Sequence, residues 1–315
     1  MIVNRMISKY VLSAVIAVCF LAGCSRSAEE AVDISVNARS AVIMEARSGQ
    51  VLFEKSPGNK YPPASTTKVM TAIVAFENMN LSDEIVPRKG ALNVEPTVAG
   101  LKADVKYRLK DLLKAILIKS ANDAAVVIAE AVAGSEDEFA RMMNEKAREI
   151  GMEDTYFATA SGLPTGRDDS QYTTSIDLAR MMRYALRYPV LVRFMSKKEA
   201  TIKGSDGIGI QLKTHNRSLY SDNGASWGKT GYTRQARRTF VGVDPSPRTH
   251  IIIALLKSNA LWSDIDTLKN DGLKLYRKKN RSFLANVLDW ISEQRHKGRI
   301  AVRMLKPGTG TEAQQ

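Results

Sequence analysis

The alternation of apolar and polar positions divides the chain into stretches of different rhythm. Tyr10–Ala22 is an uninterrupted run of uncharged, mostly apolar residues, and Ser25 to about Arg39 is polar. Ser40–Ala46 and Val51–Lys55 then read as two strands joined by a turn containing Gly49. Tyr61-Pro62-Pro63 closes that pattern and opens a helix predicted over Ala64–Met79, since proline is tolerated at a first helical position. Leu109–Ala133 carries a strong helical period, broken around Lys119–Asp123, and further helices are predicted over 135–150 and 174–188. Beyond these the texture becomes β-like. Ala200–Lys203, Gln211–Thr214, Gly228–Tyr232, Thr239–Val243 and His250–Leu256 are short runs separated by turn residues. A helix from about Ser263 to Lys279 follows. Strands, a helical insert, more strands and a late helix describe an α+β fold with a mainly antiparallel sheet and a helical subdomain.

Composition narrows the chemistry. The 315 residues are 44% apolar and 25% charged, an ordinary globular balance. Cys19 and Cys24 both lie near the N-terminus, so the body has neither a disulfide framework nor a cysteine-ligated metal site. The three histidines, His215, His250 and His296, include no i, i+4 pair, so no histidine zinc site and no metal is expected. None of them lies near a catalytic motif in the sequence. The net charge of +13 calls for an anionic surrounding without specifying the fold.

The apolar run of thirteen residues is too short to span a bilayer, which takes about 20. Behind Arg5 and Lys9 it suits the apolar core of an export signal, and it ends in Leu21-Ala22-Gly23-Cys24. That ending resembles the lipobox of bacterial lipoproteins, which implies cleavage before Cys24 and lipidation of that cysteine. The expected organisation is a lipoprotein signal over 1–23, a tether over 24–39, a catalytic domain over 40–280 and a basic tail over 281–315.

Ser65-Thr66-Thr67-Lys68 is a Ser-x-x-Lys at the start of a predicted helix, where positions i and i+3 share a face and the amine reaches the hydroxyl. Ser226-Trp-Gly-Lys229 also fits that spacing, but in a strand context that turns its two side chains to opposite faces. Ser-x-Asn occurs at Ser35, Ser120 and Ser221, whereas Lys229-Thr230-Gly231 occurs once. In chain order Ser65/Lys68, Ser120/Asn122 and Lys229/Thr230/Gly231 make the three marks of penicillin-recognising serine enzymes. The literal Ser221-Asp222-Asn223 runs into Gly224, and Asn-Gly is a turn signal.

With YPPASTTKVM (61–70), KSANDA (119–124), Ser161-Gly-Leu-Pro and GKTGYT (228–233), the chain resembles the low-molecular-mass penicillin-binding proteins. Among them it is most similar to the serine D-Ala-D-Ala carboxypeptidases, over about residues 38–280. A serine hydroxyl needs an adjacent base, and Lys68 is the one in reach. Lowering a lysine from ~10.4 to about 7 takes roughly 4–5 kcal/mol, and burial and Lys229 both push that way. Ser120 is expected to pass the proton to the leaving amine and Asn122 to bind the substrate amide. The Ser65 N–H, at a helix start, is one oxyanion donor, and the resemblance supplies the Tyr232 N–H as the other. Lys229 and Thr230 would hold the terminal carboxylate of a stem peptide ending in D-Ala-D-Ala. The resemblance implies β-lactams as covalent inhibitors, no cofactor and no nucleic acid.

A serine β-lactamase of class A would add an acidic residue beyond the Ser-x-Asn, and Thr155–Gly166 holds none. A DD-endopeptidase acting on cross-links shares the whole apparatus and stays open, as does, with less support, a non-catalytic wall-binding lipoprotein. Relatives often have Ala-Gly after the Lys-Thr-Gly-x-Thr run, where this chain has Ala236-Arg237-Arg238, and many carry an arginine shortly after the following strand, where Lys257–Trp262 has none; Lys257, Arg237 and Arg248 are the candidate replacements. Finally, Lys269–Gln315 carries +7, with Phe283, Leu284, Val287, Leu288 and Ile291 at helical spacing and Trp290 beside them. Such a stripe either packs on the domain or lies on an anionic membrane or wall polymer.

Overall fold

The computed structural model describes residues 34–166, 171–221, 226–246 and 249–296. The export segment, Cys24, the decoy Asn223 and Arg248 lie outside them. Every element below belongs to the unit Ser35–Gln315. Strands β1 (Ser40–Glu45) and β2 (Val51–Lys55) form the expected hairpin, with Gly49 at φ +77° in its turn. A 3-10 turn, Ala64–Thr67, leads into α1 (Lys68–Asn78). Two short strands, β3 (Glu84–Ile85) and β4 (Tyr107–Arg108), precede α2 (Leu109–Lys114), which widens into a π turn over Ala115–Lys119. There follow α3 (Asn122–Ala133), α4 (Glu136–Glu149), α5 (Ser175–Ala185) and α6 (Pro189–Met195). The hairpin of β5 (Glu199–Lys203) and β6 (Gly209–Lys213) comes next, then β7 (Trp227–Thr233), β8 (Arg237–Pro245), β9 (His250–Ser258) and α7 (Leu261–His296).

The main sheet is antiparallel throughout, in the order β2-β1-β9-β8-β7. Its first strand therefore pairs with its last, Ser40 facing Leu256. Both faces of the central strands are covered, which is why Ile251–Leu256 is a continuous apolar run. Val42, Met44, Ile252 and Ala254 join the core of the helical layer, while Gly272 lets α7 approach Ile43 and Ile251 on the other face. A side chain at Gly272 would begin 3.0 Å from the Ile43 methyl. Helix α1 is buried from Lys68 to Ala75, the central helix of the layer rather than a surface one.

The structure departs from the sequence expectations in three places. The helix predicted over 174–188 stops at Ala185, because Pro189 forces Tyr188 out of the helical region (φ −113°, ψ 88°) and starts α6 anew. The two-residue strands β3 and β4 are too short to show any alternation. The late helix and the apolar-striped segment after it are one helix, unbroken at residue 280.

Candidate active site

The Ser65 turn is built by prolines and held by threonines. The Pro63 carbonyl accepts from Thr66 Oγ1 at 2.7 Å and from Thr239 Oγ1, on β8, at 3.0 Å. This ties the start of α1 to the sheet. Ala64 takes φ +49°, a conformation that a non-glycine residue adopts only under constraint. Ser65 is left half-buried at the surface end of the turn, while Lys68, one turn on, has no exposed surface at all.

The Lys68 amine lies 2.9 Å from Ser65 Oγ, 2.7 Å from Asn122 Oδ1 and 2.7 Å from the Ser161 carbonyl. The last two are carbonyl oxygens and can only accept. A neutral amine has two N–H bonds and one lone pair, so satisfying both carbonyls leaves the lone pair for the Ser65 hydroxyl proton. Burial, and then the charge of Lys229, hold Lys68 well below the ordinary lysine value, while Glu136 and Asp123 pull the other way. The site thus sets beside the Ser65 hydroxyl an amine whose neutral form is favoured by its surroundings.

Ser120 owes its position to backbone strain. It ends the π turn at φ +65°, with Ala121 N–H on the Ala115 carbonyl, and starts α3 two residues later. Its Oγ receives a hydrogen bond of 2.8 Å from Lys229 Nζ, which also donates to the Thr230 carbonyl. Lys229 is buried with no acidic partner in hydrogen-bonding range among the described residues, and its pKa is pushed down to about 7 by desolvation. Strand β7 is one of the two edge strands of the sheet and runs alongside the serine turn. Gly231 makes this closeness possible, since a Cβ there would stand 2.8 Å from Ser65 N and 2.4 Å from Thr239 Oγ1. Alternation along an extended strand directs the backbone groups of Thr230 and Tyr232 to one edge. That edge is the one from which the Thr230 carbonyl meets the Lys229 amine. The Tyr232 side chain is more than half exposed and packs under Arg238, 5.7 Å from its ring centroid.

The structure therefore gathers two hydrogen-bonded groups, Lys68 with Ser65 and Asn122, and Lys229 with Ser120, close enough for the charge of Lys229 to act on Lys68, with Thr230, Gly231 and Tyr232 following on β7. Asn122 turns its Oδ1 to Lys68, which leaves its NH2 group as the side available to a substrate amide. Ser226 is separate: it is buried beside Asp244, its carbonyl accepts from Asn216 Nδ2, and the Lys229 amine goes to Ser120 instead. Lys257 reaches over the Tyr61 ring, 5.4 Å from its centroid, and Arg237 sits at the turn into β8. His215, far from the motifs in sequence, comes near the cleft. Partial burial, Lys229 and Lys119 lower its pKa, and no hydrogen bond among the described residues joins it to Ser65.

Ser161, Gly162 and Asp123 lie in the segments that carry the resemblance, but sequence reasoning gave them no part in holding the cluster from outside. Ser161 contributes a backbone carbonyl, which no side-chain pattern reveals. Gly162, at φ +80°, is packed so that a Cβ would stand 2.0 Å from the Ala64 carbonyl oxygen. Asp123 accepts from the N–H groups of Ala99, Gly100 and Leu101, fixing the loop whose Thr97 carbonyl receives Asn122 N–H. A charged residue at an otherwise apolar helix start was the available signal for Asp123.

A family model described as D-alanyl-D-alanine carboxypeptidase matches residues 25–259. The chain is 31% identical over 210 residues to D-alanyl-D-alanine carboxypeptidase DacF of Bacillus subtilis, covering 65% of this chain and 53% of that one. It is 32% identical over 219 residues to DacB2 of Mycobacterium tuberculosis, covering 70% and 74%. The chain thus spans about half the length of the Bacillus relative. A crystal structure of a D-alanyl-D-alanine carboxypeptidase from Mycobacterium tuberculosis superposes with TM-score 0.74 at 30% identity, over 78% of this chain and 94% of that one.

Proposed function

The chain belongs to the D-alanyl-D-alanine carboxypeptidase family, and from that premise we propose that it removes the terminal D-alanine from peptidoglycan stem peptides through an acyl-enzyme at Ser65. The observation that carries this reading is the Lys68 amine, buried, 2.9 Å from Ser65 Oγ and fixed by two carbonyls. Lys68 takes the hydroxyl proton as Ser65 attacks the penultimate carbonyl. The developing oxyanion is held by the backbone N–H groups of Ser65 and Tyr232. Ser120, whose hydroxyl accepts from Lys229, passes the proton to the departing amine. The Asn122 NH2 group donates to the substrate amide. The substrate carboxylate meets Lys229 and Thr230, and a group titrating at about 7 gains its proton readily as the anion arrives. Lys257, beside Tyr61, supplies the second cation. Water then hydrolyses the ester, and β-lactams acylate the same serine.

Fluorescent penicillin tests the nucleophile. Ser65→Ala should lose covalent labelling and Ser226→Ala should keep it; labelling that survives Ser65→Ala refutes the reading. Purified muropeptides test the reaction by mass. Loss of one alanine from pentapeptides supports the carboxypeptidase, whereas cleavage of cross-linked dimers supports the endopeptidase reading.

The finer placement belongs to the same proposal. Residues 1–23 direct export and Cys24 takes the lipid, so that Cys24→Ser should leave the protein free of membrane pellets. The basic end of α7 gives a second contact, through Leu288 and Trp290, which are 63% and 40% exposed. Leu288→Glu with Trp290→Ser in the Cys24→Ser background should abolish salt-sensitive binding to anionic vesicles.

A further inference from the structure

One carboxylate near the cluster has no part in the reaction as derived. Glu136 opens α4, and its Oε1 accepts the Ala160 N–H at 2.9 Å. The Ala160 carbonyl accepts from Thr71 Oγ1 at 2.6 Å, so the peptide units on both sides of Ala160 are fixed, one by α4 and one by α1. The next carbonyl along, that of Ser161, is the one 2.7 Å from the Lys68 amine. After it comes Gly162, with no room for a side chain. The turn 160–162 is therefore a rigid strap between Glu136 and the base.

We propose that Glu136 is a positioning residue for acylation: from α4 it holds the strap that presents the Ser161 carbonyl to Lys68, and its carboxylate sets the electrostatic balance around that amine. The charged groups facing Lys68 are Lys229 on β7, Asp123 on α3 and Glu136 itself. Those acting on Glu136 are Asp137, Glu130 and Lys68. Asp123 is occupied by the N–H groups of the 99–101 loop, which leaves Glu136 as the carboxylate tied to the strap. Burial raises the Glu136 pKa and the Ala160 N–H lowers it.

The inference rests on Lys68 as the base for Ser65, and the experiment separates the two. Glu136→Gln keeps an oxygen for the Ala160 N–H and removes only the charge; Glu136→Ala removes both. Acylation by fluorescent penicillin is followed against pH, with melting temperature recorded for each variant. Without the anionic neighbour the Lys68 ammonium is disfavoured, so the acidic limb of the Glu136→Gln profile should move down by about one pH unit with its plateau retained. Glu136→Ala should lower the plateau on the order of 10–100-fold, as misplacement of a reacting group does. A role in folding alone would shift the melting temperature and leave the limb in place. A Glu136→Gln limb that coincides with wild type overturns the proposal, and so does Glu136→Ala acylating at the wild-type plateau. A wild-type chain that takes no label overturns the Ser65 reading and this one with it.

Discussion

Replacing Lys229 by methionine should make the protein inactive and, at neutral pH, more stable. A lysine depressed from 10.5 to about 7 by burial corresponds to about 5 kcal/mol of folding free energy that depends on pH. Above pH 10.5 the amine is neutral in both the folded and the unfolded chain and the burden is absent. As the pH falls the unfolded chain binds its proton first, and stability declines. The decline ends near pH 7, where the folded chain protonates too. Methionine fills a similar volume without this burden, but it leaves the Ser120 hydroxyl and the Thr230 carbonyl without the Lys229 donor, at about 1–3 kcal/mol. Lys229→Met should therefore be less stable than wild type near pH 10 and more stable by roughly 2–4 kcal/mol near pH 7. Loss of Lys229 also relieves the repulsion on Lys68, which acts in the same direction. Urea unfolding at pH 7, 8, 9 and 10 measures the crossover, and penicillin labelling of the same samples measures the loss of function. A difference between the two proteins that stays constant across this range refutes the buried-cation argument, whatever its sign.

Lys68→Arg keeps a cation that does not deprotonate in proteins, so it should acylate 10²–10⁴-fold more slowly, as expected for a lost general base, in stopped-flow penicillin assays. Gly162→Ala puts a methyl 2.0 Å from the Ala64 carbonyl at φ +80°, and should lower both melting temperature and acylation rate because the serine turn has to yield. Asp123→Ala removes the acceptor of three N–H groups, those of Ala99 and Leu101 buried, and should destabilise the fold by about 2–5 kcal/mol in denaturant titrations.

The groups legible in the sequence were those whose chemistry is carried by side chains. Ser65 and Lys68 could be placed because a serine needs a base at helical spacing, Ser120, Asn122 and Lys229 through the order of the three motifs and the resemblance they carry, and the hairpin β1–β2 because its alternation and turn agree. Ser161 and the Ala160 amide act through the backbone, which every residue has, so no residue type marks them. Glu136 reads as an ordinary acid in the first turn of a helix, favoured there by the helix dipole whatever else it does. The role of Gly162 depends on how near Ala64 comes, a tertiary fact. The expected helix ends just before Pro189; that its last turn unwinds already after Ala185 follows from the backbone the proline imposes on Tyr188, which the helical period does not show.

The pairing of the first strand with the last governs the order in which this chain can mature. Synthesis delivers β1 long before β9, and more than 200 residues separate Ser40 from its partner Leu256. Closing a loop of that length costs roughly 5 kcal/mol in chain entropy before any contact repays it. The Ser65 and Ser120 regions, both within the first half, can assemble as a helical layer early, yet Lys229 and the wall at Tyr232 reach them only with the sheet. A chain still being synthesised thus holds Ser65 and Ser120 without Lys229 beside them. Competence arrives in one late step, when β9 slots between β1 and β8.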